Sequence, residues 1–276
     1  MSIYRAPHED EARLAATKGF SELVTKELEG RLSKNRKLAE QAQIISAPLS
    51  TLIRADEKAM SALRAVEPMI KAERDQHKNA ARAIVPRPVR PFSITTNGSL
   101  IISVPPYDLW WKSGSVLFTE ADSNAGTFKA ETVDDLGYTA AGLGLFVSTT
   151  IPQNVRFSAD AEFHSRWTDL VIHGGAINEG GVGVLVSEGG NTIARKDAKL
   201  WGDYPAGVGS PWFGASGDNV TLLTQTAAGQ TYFHMVPGRQ YVVWVWCWVV
   251  THTLGSVFAF AEIEAHMPFV VVEQQH

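Results

Sequence analysis

Three tryptophans alternate with small apolar residues in the segment 242–250. In an extended strand, Trp244, Trp246 and Trp248 share one face, with successive rings ~6.6–6.8 Å apart. Rings at this spacing can stack on a row of sugar rings, which is one chemistry that the segment offers. Large aromatic side chains also dominate protein cores and subunit interfaces. The sequence favours a core or interface role for these rings and leaves a sugar-binding platform as the alternative.

Two further groups of aromatic residues lie in segments rich in proline or glycine. The first group follows Pro105-Pro106, and the second lies in the segment 199–219, which contains five glycines. A loop of that length is typical of a binding loop or a lid, and loops often carry binding residues. The alternative is that Trp201 and Trp212 only anchor the loop to the domain. The candidate ligand-binding residues are Tyr107, Trp110, Trp111, Trp201, Tyr204, Trp212 and Phe213.

The sequence contains no complete catalytic or metal-binding signature. His173-Gly174-Gly175 has the form of an oxyanion-hole loop, but no Gly-x-Ser-x-Gly motif supplies a nucleophile. The eight histidines include no His-x-x-x-His pair. The single cysteine, Cys247, excludes an intrachain disulfide and has the apolar neighbours of a buried small residue. We therefore predict no metal and no cofactor, and we favour a protein that is not an enzyme.

The elements that must position these residues begin with a long helical segment, residues 9–84. It is rich in good helix formers and contains only two glycines. Alternating steps of four and three residues from Leu38 meet apolar residues at nine of ten positions, which indicates a coiled-coil heptad pattern. The predicted interface residues are Leu38, Ile45, Leu49, Leu52, Leu63, Val66 and Ile70, together with Trp244, Trp246 and Trp248.

Pro48 interrupts this segment, because proline removes a helical N–H and disfavours helix at Ala47. One resulting geometry is a helical hairpin with a break at 46–48, which the near-equal lengths of its two halves favour. The other is a kinked continuous helix that joins copies of itself, which the unbroken heptad register favours. In both geometries the apolar stripe needs a partner, within the chain or in another subunit.

The remainder of the chain has the composition of a β domain. Three prolines in 85–91 predict a stiff linker, and 21 of the 23 glycines follow it. Apolar and polar residues alternate over 155–163 and again over 257–264, which predicts half-buried strands. About a dozen such strands without intervening helices favour an antiparallel sandwich. The predicted fold is α+β and segregated, with a helical stem (1–84) followed by a jelly-roll-like β-sandwich (92–276).

Charge and hydropathy limit the partners of this chain of 276 residues. Residues 1–90 carry a net charge of +5 and residues 91–276 a net charge of −9. An acidic sandwich argues against nucleic acid, because phosphate neutralisation supplies most of the affinity there. The first ten residues lack a signal-peptide pattern, and no run of ~18 apolar residues spans a membrane. We expect a cytoplasmic protein by default, with release by a non-classical route left open.

Three functional hypotheses follow from these patterns. The first is a non-enzymatic binding or assembly protein, in which the stem self-associates or docks on a partner and the sandwich recognises a ligand, with carbohydrate as one candidate. The second is a membrane-active, toxin-like protein whose amphipathic helices rearrange on a membrane. The third is a carbohydrate-active enzyme, which requires an acidic cleft with two facing carboxylates.

Overall fold

A computed structural model provides the structure of the protein. It describes residues 3–5, 10–58, 100–113, 119–133, 137–171, 175–202, 213–254 and 257–275, with the single positions 61, 65, 68 and 72. The predicted linker 85–91 lies outside the described residues, as do Leu63, Val66 and Ile70 of the heptad pattern. The helix is described at Ile45, Leu49 and Leu52, but their side chains are not.

The described part of the chain consists of one long helix, thirteen strands and one 3-10 turn. In chain order they are β1 (Ile3–Arg5), α1 (Asp10–Ala55), β2 (Leu100–Ser103), β3 (Leu109–Lys112), β4 (Glu120–Asp122), β5 (Thr127–Val133), β6 (Gly137–Thr149), β7 (Gln153–Val171), β8 (Gly175–Glu188), β9 (Asn191–Trp201), β10 (Phe213–Leu222), the turn Leu223–Gln225, β11 (Thr231–Met235), β12 (Gln240–Leu254) and β13 (Val257–Gln274). An N-terminal helix followed by antiparallel strands is the α+β arrangement that the sequence predicts.

The helix α1 continues through Pro48 and ends at Ala55. The break predicted at 46–48, and with it a hairpin turn at that place, is not formed. The missing N–H of Pro48 frees the carbonyl of Ile44, four residues earlier. Because the side chains of Ile44, Ala47 and Pro48 are exposed, water can bond to that carbonyl on this side of the helix.

The strands form two antiparallel sheets. Sheet A has the order β1-β6-β12-β8-β9, with β3 also paired to β6. Sheet B has the order β10-β7-β13-β5-β4, with β11 also paired to β7 and β2 to β13. The segment Ile3–Arg5, which the sequence analysis placed in the stem, pairs with β6 and so belongs to sheet A.

The main core lies between the two sheets and follows the alternation seen in the sequence. On β7, the inward residues from Val155 to Phe163 are buried, while the residues between them are partly exposed. On β13, Ala261 and Ile263 are buried in the same core, but Glu262 on the outer face is buried as well. The predicted half-buried strand is therefore confirmed for β7, whereas β13 is covered on both faces at Glu262.

A second apolar layer lies on the outer face of sheet A, beneath α1. We call the side chains of Trp244, Trp246 and Trp248 the tryptophan face; they are at most 1% exposed. The ring of Phe20 stacks on Trp244, with centroids 4.2 Å apart and planes 14° apart. Val24 and Leu28 continue the same buried cluster. The three rings therefore form an interface between helix and sheet within one chain, and they are covered against any sugar.

Glycines on the neighbouring strands create the room for these rings. Gly144 of β6 pairs with Trp244, and Gly181 of β8 pairs with Trp248. A Cβ atom at Gly181 would lie 2.5 Å from the Trp248 ring, and one at Gly144 would lie 3.0 Å from the Trp244 ring. The first separation is too short for a real side chain, and the second would require the Trp244 ring to shift, so glycine at both positions leaves room for the indoles.

Charged side chains at the rim fix α1 on the sheet. Glu27 of α1 forms ion pairs with Arg31 on the same helix and with Arg195 on β9. The guanidinium of Arg31 lies 4.2 Å from the centroid of a Trp248 ring, a cation–π geometry. The stacked arginine and its ion pair thus join the helix to the indole layer that it covers.

Candidate functional site

The inward faces of the two sheets bring two tryptophans and two polar side chains together at one end of the sandwich. Trp167 and Asp169 lie on β7, Asn178 on β8 and Trp201 at the end of β9. The rings of Trp167 and Trp201 stack across the sheets, with centroids 6.3 Å apart and planes 6° apart. We call these four residues the tryptophan mouth.

Glycines position both rings of the mouth, as they do on the tryptophan face. Gly180 pairs with Trp201, and Gly217 of β10 pairs with Trp167. A Cβ atom at either glycine would overlap the indole beside it. Each indole therefore lies over a strand that has no side chain at that place, which brings the two rings together between the sheets.

Hydrogen bonds fix one half of the mouth. The Trp201 Nε1–H donates to Asn178 Oδ1 at 2.8 Å, and Asn178 Nδ2 donates to the Phe260 carbonyl at 2.7 Å. This chain links sheet A to β13 of sheet B. The other half differs, since Asp169 Oδ1 and Trp167 Nε1 are both buried and neither has a hydrogen-bond partner among the described residues.

Burial also changes the acidity of Asp169. The residue is 5% exposed, and this burial raises the pKa of Asp169 to about 7, with Asn178 opposing the shift as a hydrogen-bond partner. Removal from water disfavours the ionised form. Asp169 is therefore largely protonated in mildly acidic solution and loses its proton near neutral pH.

The first testable consequence is a stability that falls as the pH rises. An unfolded Asp loses its proton near its ordinary pKa of 3.8, whereas folded Asp169 keeps it to about 7. Between these values the unfolded chain releases a proton that the folded chain retains, so the free energy of unfolding falls with pH. We expect Asp169→Asn to reduce the loss of stability between pH 5 and pH 8, measured by urea unfolding. Equal losses in both proteins would contradict this assignment.

A second group of ionisable residues lies on the outer face of sheet B. Lys129 Nζ lies 2.9 Å from a Glu131 oxygen and 2.7 Å from a Glu262 oxygen. Arg166 also contacts Glu262, at 2.5 Å. An open groove of about 330 Å³ lies beside this cluster, lined in part by His164, Arg166 and Glu262. The cluster is thus a network of two carboxylates held by two cations.

The two carboxyl groups have opposite shifts in acidity. Burial raises the pKa of Glu131 to about 7, against the opposing effect of Lys129. Burial also acts to raise the pKa of Glu262, but Lys129 and Arg166 outweigh it and hold that pKa below its usual value. Opposite shifts are typical of an acid and base pair. The Glu131 side chain is 0% exposed and Lys129 lies between the carboxylates, so a substrate cannot touch both.

The structure separates the aromatic residues that the sequence singles out. Trp201 lies in the tryptophan mouth, and the backbone of Phe213 starts β10 at the same end of the sandwich, paired with Val171. Tyr107 is buried elsewhere and donates its hydroxyl hydrogen to the Met267 carbonyl at 2.9 Å. Trp111 lies beneath α1, and Trp110 is 48% exposed. Tyr204 and Trp212 lie outside the described residues.

Three residues of the mouth were not predicted as ligand-binding residues: Trp167, Asp169 and Asn178. A signal for two of them was present in the alternation of β7. Continued past Phe163, that pattern places Ser165, Trp167 and Asp169 on the inward face. A charged residue at an inward position is unusual, and that conflict between pattern and residue type points to the site.

No protein-family model and no curated protein matches this chain. Among solved structures, it is 10% identical to the enzymatically active domain of bacteriophage CBA120 tailspike protein 4, over 62% of this chain and 19% of that chain, with a TM-score of 0.17. It is 10% identical to a structure of infectious bursal disease virus, Gx strain, over 70% and 45% of the two chains, with a TM-score of 0.17. It is 11% identical to TmCBM61, solved with beta-1,4-galactotriose, over 55% and 88%, with a TM-score of 0.14.

This chain thus spans about a fifth of the tailspike chain and less than half of the virus chain. Likenesses at these TM-scores carry no conclusion about fold or function. Within the described residues, no helix has the length and apolar character needed to cross a membrane. The chain is an α+β protein in which a long helix covers one of two antiparallel sheets, and its own geometry carries the functional argument.

Proposed function

We propose that this protein is a non-enzymatic binding and assembly protein. In this proposal, the distal part of α1 joins copies of the chain through a coiled coil, and a jelly-roll-like sandwich recognises a ligand. One observation supports it above the others. Every described side chain from Glu40 to Lys58 is exposed, on a helix whose earlier part is packed against sheet A.

The two parts of α1 differ in what they contact. The side chains that pack in the cluster beneath the helix lie between Ala12 and Leu32. From Glu40 to the end at Ala55, the helix extends for about 23 Å at 1.5 Å per residue. Along this length the heptad pattern that starts at Leu38 continues at Ile45, Leu49 and Leu52. A helix with such a stripe gains most of its stability from packing, and a second copy supplies the same stripe.

The alternatives are less well supported by these contacts. A membrane-active mechanism requires α1 to leave sheet A, which would expose Phe20, Val24 and the tryptophan face to water. An enzyme with two facing carboxylates requires that a substrate can touch both, and the Glu131 side chain is 0% exposed with Lys129 between it and Glu262. An assembly through the distal helix requires neither that α1 leaves sheet A nor that a ligand reaches a buried carboxylate.

Two neighbouring isoleucines give a matched test of the proposal. Ile45 lies in the heptad pattern, whereas Ile44 lies outside it and is 73% exposed. We expect Ile45→Lys to convert an elongated oligomer into a monomer, because a lysine in the seam would place its charge in an apolar contact. We expect Ile44→Lys to leave the mass unchanged. Light scattering coupled to small-angle X-ray scattering measures mass and shape together.

The outcomes are distinct. An oligomer that persists in Ile45→Lys would mean that the copies associate through another surface. A compact wild-type particle of about 30 kDa would overturn the assembly proposal altogether. Circular dichroism of both variants would show whether α1 itself remains helical.

A further inference from the structure

We infer that the tryptophan mouth binds a neutral saccharide. This inference rests on the proposed recognition role of the sandwich and assigns it a place and a ligand chemistry. It requires only residues of the sandwich, because Trp167, Asp169, Asn178 and Trp201 all lie on strands of the two sheets.

The mouth contains two polar atoms that are ready for a ligand. Asp169 Oδ1 and Trp167 Nε1 are buried without a hydrogen-bond partner in the described structure. A buried polar atom without a partner costs free energy, and native proteins rarely keep such atoms without a reason. Both residues lie on the same face of β7, two positions apart, so their Cα atoms are ~6.6–6.8 Å apart. A single pyranose ring is large enough to bridge them.

The chemistry of these atoms selects hydroxyl groups. The Trp167 indole N–H can only donate a hydrogen bond, whereas an oxygen of Asp169 can accept one. A ligand must therefore offer an acceptor and a donor at close range. Each hydroxyl of a sugar does both. The stacked indoles of Trp167 and Trp201 add an apolar wall for the C–H groups of the same ring, and polar groups set in an aromatic pocket are typical of small-molecule sites.

Charged ligands fit this arrangement less well. An ammonium group would suit the carboxylate and the ring faces, but it offers no acceptor to the Trp167 N–H. An anion would accept from that N–H but would be repelled by Asp169 once that carboxyl group is ionised, above its pKa of about 7. The neutral, hydroxyl-rich ligand is the chemistry that satisfies both atoms.

A printed array of neutral and acidic glycans, probed with the full chain, tests this inference. Titration calorimetry with the strongest-binding neutral oligosaccharide then gives the affinity. We expect at least a tenfold loss of affinity in Asp169→Asn, which replaces an acceptor oxygen with a donor, and in Trp167→Ala. We expect no change in Tyr232→Ala, a control at an exposed aromatic residue outside the mouth. Trp167→Phe keeps an aromatic ring but removes the N–H. It replaces Trp167→Ala in the affinity measurement if the alanine variant does not fold.

Several results would overturn the inference. One is a wild-type chain that retains no glycan on the array. Another is equal affinity in the wild type, Asp169→Asn and Trp167→Phe. Binding of choline in place of glycans, lost in Trp167→Ala, would assign the mouth to a cation instead. The solution mass of the wild type and of Ile45→Lys is measured without any glycan, so failure here is distinguishable from failure of the assembly proposal.

Discussion

Replacing Phe20 with alanine is expected to destabilise the protein by about 3–5 kcal/mol, the cost of removing a large aromatic side chain from a packed core. Phe20 is 1% exposed. Its ring stacks on Trp244 and meets Trp111 edge-on, with centroids 5.2 Å apart. The substitution removes apolar area and also leaves a cavity that the rigid sheet beneath cannot close. Chemical denaturation, followed by tryptophan fluorescence, measures the change.

Leu14→Ala is the matched control on the same helix. Leu14 is 71% exposed, so its truncation should change the free energy of unfolding by less than about 0.5 kcal/mol. Acrylamide quenching should also rise in Phe20→Ala, because the tryptophan face becomes accessible when the helix is loosened. If Phe20→Ala behaved like Leu14→Ala in both measurements, α1 would not cover sheet A in solution.

Replacing Lys129 with methionine is expected to cost about 3–5 kcal/mol at pH 8, the effect of breaking a buried ion pair by removing one partner. The Lys129 side chain is 5% exposed and lies between Glu131 and Glu262. Methionine fills a similar volume but leaves both carboxylates without this cation. Arg166 still holds Glu262, so the penalty falls mainly on Glu131.

The pH dependence of the stability of Lys129→Met distinguishes the loss of the ion pair from a loss of packing. The pKa of Glu131 is already raised to about 7 by burial, and removing Lys129 raises it further. At pH 5 the carboxyl group is protonated and needs no counter-charge, so the deficit of Lys129→Met should shrink. Lys18→Met, at a residue whose side chain is 74% exposed, should have little effect at either pH. A deficit that is the same at pH 5 and pH 8 would assign the loss to packing.

Several features of the fold could be predicted from the sequence because their signals are local. The alternation from Val155 to Phe163 depends only on the two-residue period of a strand, and β7 has that pattern. The helix-forming composition of the first residues predicts α1 in the same way. Pro48 misled the prediction of a break, because the carbonyl of Ile44 that loses its partner lies on an exposed side of the helix, where water can bond to it.

The candidate site could be predicted only in part. Trp201 was singled out because it lies in the long glycine-rich segment 199–219. Its partner Trp167 lies 34 positions earlier, on the opposite sheet, and only the packing of sheet B, which contains β7, against sheet A, which contains β9, brings the two rings together. The missing partner of Asp169 Oδ1 is a property of its whole surroundings, and neighbours in sequence do not reveal it.

By itself, the sequence determined that the first part of the chain is helical and that Trp244, Trp246 and Trp248 share a strand face. Only the tertiary structure decided that Phe20, Val24 and Leu28 of α1 cover this face within one chain. The physical reason is that the hydrophobic effect is non-directional and scales with the area removed from water. A sequence pattern therefore indicates that a face must be buried. The long-range pairing of strands and the glycines beside the rings determine which surface covers that face.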